Sequence, residues 1–296
     1  MRGQPVAVIS AIVLKWLIPA RWNRVSTPGQ VPILDLRTFA GYLAKEMSPP
    51  QNSLYITEEC ADPAQHAVAT RAEIPKAIPS LLSYYTALLA AYGPQNWWPG
   101  RTRFEVIAGA ILTQNTAWSN VTLALGNLRR ERLLNASAIA SVSLARLERL
   151  IRSSGYFRQK AKTLKAFVRF LRTEYAGSLT QMFRTPTATL RHQLLAVRGI
   201  GPETADCILL YAGKHPVFVV DAYTRRILER HGHTHTKASY DEIRASFERS
   251  IPADAAIYNE FHALIVQAGK EFCRRTVPDC NACPLHSFLP TAGLST

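Results

Sequence analysis

The chain has 296 residues, of which 47% are hydrophobic and 19% are charged. These values exclude a largely disordered chain and allow one large domain or two ordinary ones around a substantial core. The net charge of +14 favours a polyanionic partner such as nucleic acid, because Lys and Arg side chains that neutralise phosphates release counterions. Most of this charge belongs to residues 79–296, since residues 1–78 hold 8 Lys and Arg against 6 Asp and Glu.

The elements predicted along the chain are almost all helices. Residues 1–78 are interrupted by prolines and carry no recognisable motif, so we assign them as an N-terminal extension of unknown role. From Ile78 onward, amphipathic helix patterns alternate with short polar breaks. The strongest strand signal is the short run 217–220, and an all-α class follows. The predicted helices are 81–92, 104–112, 121–128, 144–153, 160–175, 187–196, 204–211, 224–231, 240–250 and 255–269.

Cysteine usage and the first residues of the chain bear on its compartment. The five cysteines are an odd number with three in one short segment, which argues against a secreted disulfide framework and for a reducing compartment. The apolar run 6–14 is interrupted by Lys15 and is far shorter than the roughly 20 residues that span a bilayer. We therefore expect a cytoplasmic protein that has no membrane partner; given its net charge, we also expect it to be nucleoid-associated, and we expect a monomer.

The stretch 194–206 predicts a helix, a tight turn and a second helix. Gly199 and Gly201 flank a single Ile and permit positive φ and close backbone approach, while Pro202 suits a first helical turn. Such a hairpin can aim free backbone N–H groups at a phosphate. The alternative is an ordinary corner between two helices, because short glycine motifs often occur without a ligand.

Asp221 follows four apolar residues and precedes a predicted helix. This position is typical of an N-cap, where the helix N-terminus favours an ionised carboxylate. An ionised carboxylate at the rim of a dry pocket can also activate water or stabilise an oxocarbenium-like sugar. Capping and catalysis are compatible, so the residue alone does not decide between them.

Four stretches in order resemble the endonuclease III superfamily of DNA glycosylases over residues 80–285. They are the hairpin 194–206, the segment 216–226 with Asp221, the stretch 104–116 and the stretch 155–161. The resemblance implies the all-α helix-hairpin-helix DNA glycosylase fold, with two helical domains and double-stranded DNA bound in the cleft between them. It assigns 79–101 and 216–296 to a terminal helical domain with a cysteine loop, and 102–215 to a six-helix domain.

The same resemblance implies roles for individual residues. Asp221 would be the catalytic aspartate, and Gln114 would fill the gap left by a flipped, damaged base. Gly199 and Gly201 would support the phosphate-binding hairpin. The remaining residues expected to contact DNA are Asn115, Lys160, Thr204 and Arg225.

Glu203 bears on the branch of the family. Members that also nick DNA carry a Lys nucleophile at the matching position, and a carboxylate cannot form the required imine. We therefore expect a monofunctional glycosylase, in which Trp97, Trp98 and Glu203 line the base pocket. The adjacent indoles are similar to those of the 3-methyladenine DNA glycosylase subgroup and would attract a cationic alkylated purine, although they could also be core and surface anchors. The alternatives are a lyase for oxidised pyrimidines and a non-catalytic DNA-binding module.

The cysteine loop resembles three-quarters of the family's iron–sulfur site. Cys273, Cys280 and Cys283 have the family's spacing, whereas Leu289 occupies the position of the fourth ligand. A [4Fe–4S] cluster normally needs four thiolates. Three states stay open at this point: a cluster with a non-cysteine ligand, a [3Fe–4S] cluster, or a loop without metal.

Overall fold

A computed structural model describes residues 78–95, 97–98 and 100–290, so the predicted extension lies outside the described residues apart from Ile78. All regular structure within these ranges is helical, and none of their helices is long and apolar enough to cross a membrane. The helices are α1 Leu81–Tyr92, α2 Arg103–Leu112, α3 Trp118–Arg130, α4 Ala136–Ser141, α5 Leu144–Leu150, α6 Phe157–Tyr175, α7 Leu179–Met182, α8 Thr187–Leu195, α9 Pro202–Cys207, α10 Ala222–Arg230, α11 Tyr240–Ser250 and α12 Ala255–Glu271, with 3₁₀ turns Arg152–Ser154 and His286–Phe288 and a π-helical turn Ile208–Gly213.

Helix bounds follow the capping residues. The Ser80 side chain accepts from the Ser83 N–H at the start of α1, and Ser239 forms a capping box with Glu242 at the start of α11. These two helices have the predicted bounds, and the others differ from prediction by a few residues. The region 102–215 contains eight α-helices rather than six, because the short helices α4 and α7 carry too few apolar repeats to show a period.

The run 217–220, which carries the strongest strand signal in the sequence, is a buried extended segment without a partner strand among the described residues. Two of its backbone N–H groups are bonded by side chains of α11. The Phe218 N–H donates to Glu248 Oε1 at 3.0 Å, and the Val220 N–H donates to Tyr240 Oη at 3.3 Å. Helix α11 therefore fixes the segment that leads directly into Asp221.

The helices pack in two groups. One group contains α1, α10, α11 and α12, and the other contains α2 to α9. Helices α2 and α12 both contact the π-helical turn Ile208–Gly213, which joins the groups. The predicted DNA-binding cleft between them stays a prediction.

Candidate active site

Asp221 caps the N-terminus of α10. Its Oδ1 accepts from the Thr224 N–H at 2.8 Å and from the Thr224 hydroxyl at 2.9 Å. The side chain is 15% exposed, so solvent or a ligand can reach the carboxylate. Helix α10 begins directly after this residue, so the free N–H groups of its first turn lie next to the carboxylate. Asp221 therefore caps a helix and presents a negative charge at the same time.

Glu203 lies in the first turn of α9, directly after Pro202 at the first helical position. The Glu203 side chain is exposed, although protein packed around the carboxyl desolvates it in part. Burial, together with the negative charge of Asp221, raises the pKa of Glu203 to about 7. Two carboxyl groups with different environments thus belong to one site, an arrangement typical of acid–base chemistry.

His262 and Tyr211 complete this site, and sequence reasoning missed both. His262 on α12 is buried, and its Nε2 lies 3.8 Å from Asp221 Oδ2. Its Nδ1 lies 2.6 Å from the hydroxyl of Tyr211, which belongs to the π-helical turn. Burial lowers the pKa of His262, against the opposing effect of Asp221. A lone His on an apolar helix gives no local signal, because its partners are distant in the sequence.

An aromatic cluster lies beside these groups. The Trp98 ring is 4.8 Å from the Tyr211 ring at an interplanar angle of 34°, and it meets Trp118 edge-on at 5.0 Å. Trp97 contacts Trp98 and Trp118, and the Lys270 ammonium lies over its ring at 5.4 Å. The structure thus brings the predicted Trp97 and Trp98 together with Trp118, and both predicted indoles are half-buried.

Gln114 lies against the predicted hairpin. Its Nε2 donates to the Gly199 carbonyl at 3.0 Å and to the Thr204 hydroxyl at 2.9 Å. Thr204 was expected to contact DNA, but it is buried and instead positions Gln114. Asn115 follows in the turn with φ +50° and is exposed. The predicted wedge residue Gln114 therefore lies at the hairpin, and Asn115, which was expected to contact DNA, follows it and faces solvent.

The two hairpin glycines differ in whether their backbone conformation and surroundings require glycine. Gly199 has φ +90°, and a Cβ there would lie 2.1 Å from Thr163 Oγ1 on α6. Gly201 was expected to need the same freedom, but its φ is −97° and a Cβ there would meet nothing within 4 Å. Only Gly199 is thus required by the fold. Gly201 and the neighbouring Arg198 are exposed on the surface that a phosphate could approach.

Lys160 was expected to contact phosphate, and this expectation is wrong. The side chain is 2% exposed, and its ammonium donates to the carbonyls of Leu112 at 2.9 Å and Ser154 at 2.5 Å. Burial lowers its pKa to about 8. Lys160 therefore holds the end of α2, which leads to Gln114, against the turn before α6.

Arg225 has a more open environment. Its Nη1 donates to the Ala238 carbonyl at 2.7 Å, and the side chain is half-buried. A contact between Arg225 and DNA stays a prediction.

Comparison with known proteins identifies the family. Residues 108–253 match the pattern of the HhH-GPD superfamily of base excision DNA repair proteins. A protein of Methanocaldococcus jannaschii named "Putative DNA repair glycosylase MJ1434" is 48% identical over 206 residues, which cover 69% of this chain and 93% of that protein. The chain belongs to the HhH-GPD superfamily. It is therefore a DNA N-glycosylase of base excision repair.

Two solved structures resemble this HhH-GPD glycosylase. The 3-methyladenine DNA glycosylase MagIII of H. pylori, bound to 1,N6-ethenoadenine, is 30% identical with a TM-score of 0.57, covering 64% of this chain and 96% of that chain. Endonuclease III trapped covalently on DNA is 22% identical with a TM-score of 0.61, covering 71% of this chain and 94% of that chain. The second likeness concerns the fold alone.

The cysteine loop of this HhH-GPD chain does not supply a full cluster site. Cys273, Cys280 and Cys283 line one pocket with Leu289, so the position of the fourth thiolate carries an apolar side chain. The nearby His286 directs Nδ1 at the Cys280 carbonyl, 3.0 Å away. Among the described residues, no three His, Cys, Asp or Glu side chains converge to hold a metal ion. The donor set therefore does not fit a four-thiolate cluster.

Proposed function

We propose that this glycosylase is monofunctional and removes an alkylated purine from double-stranded DNA. The observation that carries the proposal is the pair of carboxyl groups, Asp221 and Glu203, beside a cluster of indole and phenol rings. A purine alkylated on a ring nitrogen carries a positive charge. Two carboxyl groups and an electron-rich indole both favour such a base over a neutral one.

Hydrolysis of the glycosidic bond of a cationic base requires from the protein mainly a negative charge near the sugar and correct positioning of the base. When the glycosidic bond breaks, its electron pair moves to the cationic base, which leaves as a neutral molecule. The sugar acquires the positive charge, and in this proposal the Asp221 carboxylate stabilises that charge. Water then adds to the sugar carbon and releases its proton to a carboxylate. No protein amine is needed for this sequence.

Glu203 supports the monofunctional assignment. It occupies the helix position that matches the lyase nucleophile in the endonuclease III resemblance, and a carboxyl group cannot form an imine. Among the described residues, the amine of Lys270 nevertheless lies beside the aromatic cluster, over the Trp97 ring. Lys270 is therefore the residue to remove if any covalent adduct with DNA forms.

The test uses duplexes that each carry one lesion, treated with or without hot alkali after reaction. We expect strand breaks only after alkali, strongest on alkylated purines, and a loss of at least about 100-fold in Asp221→Asn with unchanged DNA affinity. Nicking without alkali, together with borohydride trapping that Lys270→Met abolishes, would establish a lyase instead. Tight DNA binding without cleavage of any lesion would establish a non-catalytic module.

A further inference from the structure

We propose that His262 is a positioning residue for the Asp221 carboxylate and that Tyr211 fixes the imidazole in the required tautomer. This inference rests on the proposed function, because it assigns the arrangement behind the catalytic aspartate. It adds two residues that the sequence did not indicate. Both lie on elements of the packed core, the π-helical turn and α12.

The two oxygens of Asp221 have different surroundings. Oδ1 accepts two hydrogen bonds from Thr224, whereas Oδ2 faces His262 Nε2 at 3.8 Å. His262 Nε2 is buried and has no hydrogen-bond partner among the described residues. Buried polar groups are rarely left unpaired, so an orphaned nitrogen beside a carboxylate indicates a functional contact. The separation exceeds that of an N–H···O bond by about 1 Å, which a small movement of the carboxylate can close.

The other imidazole nitrogen decides which proton faces Asp221. His262 Nδ1 lies 2.6 Å from the Tyr211 hydroxyl, and both side chains are buried. In the proposed arrangement the phenol donates to Nδ1, which places the imidazole hydrogen on Nε2, where it points at Oδ2. Burial also lowers the pKa of His262 and raises that of Tyr211, so both groups are neutral. The opposite tautomer would direct a lone pair at a negative oxygen.

The functional consequence concerns orientation. Thr224 alone holds one oxygen and leaves the carboxylate plane free to rotate, whereas an additional N–H at Oδ2 fixes it. A fixed carboxylate stabilises a developing positive charge without reorganising during the reaction. Without the imidazole N–H, the ground-state structure can persist while the rate of base release falls.

The test compares two conservative substitutions and one hydroxyl deletion. His262→Gln keeps an N–H at the reach of Nε2, whereas His262→Asn can bond Tyr211 but cannot reach Asp221. Tyr211→Phe removes the hydroxyl, and Tyr258→Phe is the matched control, because that buried tyrosine bonds the Ile251 carbonyl away from the site. We expect base release under single turnover to fall about 10- to 100-fold in His262→Asn and Tyr211→Phe, and less than about threefold in His262→Gln and Tyr258→Phe.

A binding measurement tests the role of His262 without requiring that the damaged base be known. The probes are two duplexes with an abasic-site analogue, one a cationic pyrrolidine and the other an uncharged tetrahydrofuran. Loss of affinity confined to the cationic probe in His262→Asn and Tyr211→Phe supports positioning. Equal behaviour of His262→Gln and His262→Asn, or equal loss on both probes, overturns it. If the wild type releases no alkylated purine, the substrate proposal fails, while the two probes still decide the role of His262.

Discussion

Lys160 offers the sharpest test of the structure, because sequence and structure assign it different roles. Lys160→Met leaves the buried carbonyls of Leu112 and Ser154 without their donor, at roughly 1–3 kcal/mol each. Lys160→Met also removes the desolvation cost of the ammonium, which offsets part of this loss. A pKa lowered from 10.5 to about 8 sets the offset at roughly 3 kcal/mol at most, because partial contact with solvent reduces it. We expect a net loss of about 2 kcal/mol, or about 4–8 °C in Tm.

The pH dependence of that loss has a definite sign. The pKa of Lys160 is lower in the folded protein than in the unfolded chain, so unfolding takes up a proton between pH 8 and 10.5. The wild type therefore gains stability relative to Lys160→Met as the pH rises through this window. Thermal unfolding at pH 7 and pH 9.5 measures the difference.

Lys162 is the matched control for Lys160, since it is exposed on the same helix, beside the Thr163 that contacts Gly199. Lys162→Met should leave Tm unchanged and lower the salt slope of DNA binding by about 1, while Lys160→Met should leave that slope unchanged. The reasoning is refuted if Lys160→Met lowers the salt slope as Lys162→Met does and keeps the wild-type Tm.

Three further predictions use other parts of the site. Glu203→Gln should raise Tm at pH 8 but not at pH 4. The Glu203 pKa is higher in the folded protein than in the unfolded chain, so the folded state of the wild type loses stability as the pH rises from 4.5 through 7, and Gln removes this loss. Melting temperatures measured across this pH range check the prediction. Gly199→Ala should lower the free energy of unfolding by more than about 2 kcal/mol in urea, whereas Gly201→Ala should change it by less than about 0.5 kcal/mol; equal effects would contradict the hairpin geometry. Iron analysis of anaerobically purified protein should find less than about one iron per chain, and a stoichiometry of three or four would show that the Cys280 loop binds a cluster after all.

The sequence predicted the fold well where an element is determined by neighbouring residues in the chain. Helical apolar periods predicted α1 and α11 with the observed bounds, and the turn at Gly199 predicted the hairpin. The run 217–220 carries a strand signal without forming a strand, because β-branched and aromatic residues mark burial as well as strands, and here burial alone applies. Strand formation needs a partner, which local composition does not report.

The site was only partly predictable, for a related reason. Lys160 shares a helical face with Leu164, Phe167 and Leu171, so its burial follows from the period, but the motif around it suggested a phosphate contact. His262 had no such signal. Its role depends on contacts with Asp221 and Tyr211, which lie 41 and 51 residues away in the chain.

The link between Trp97 and α12 has a consequence for synthesis of the protein. The Asn259 side-chain amide donates to the Trp97 carbonyl, so two segments 162 residues apart are joined in the fold. On the ribosome, the tryptophan segment emerges early and must wait for α12 before it can reach its native contacts. Helices α2 to α9 can pack during this interval, because their mutual contacts are closer in sequence. The tryptophan cluster that we propose as the base pocket is therefore expected to be among the last parts of the enzyme to form, after α12 has left the exit tunnel.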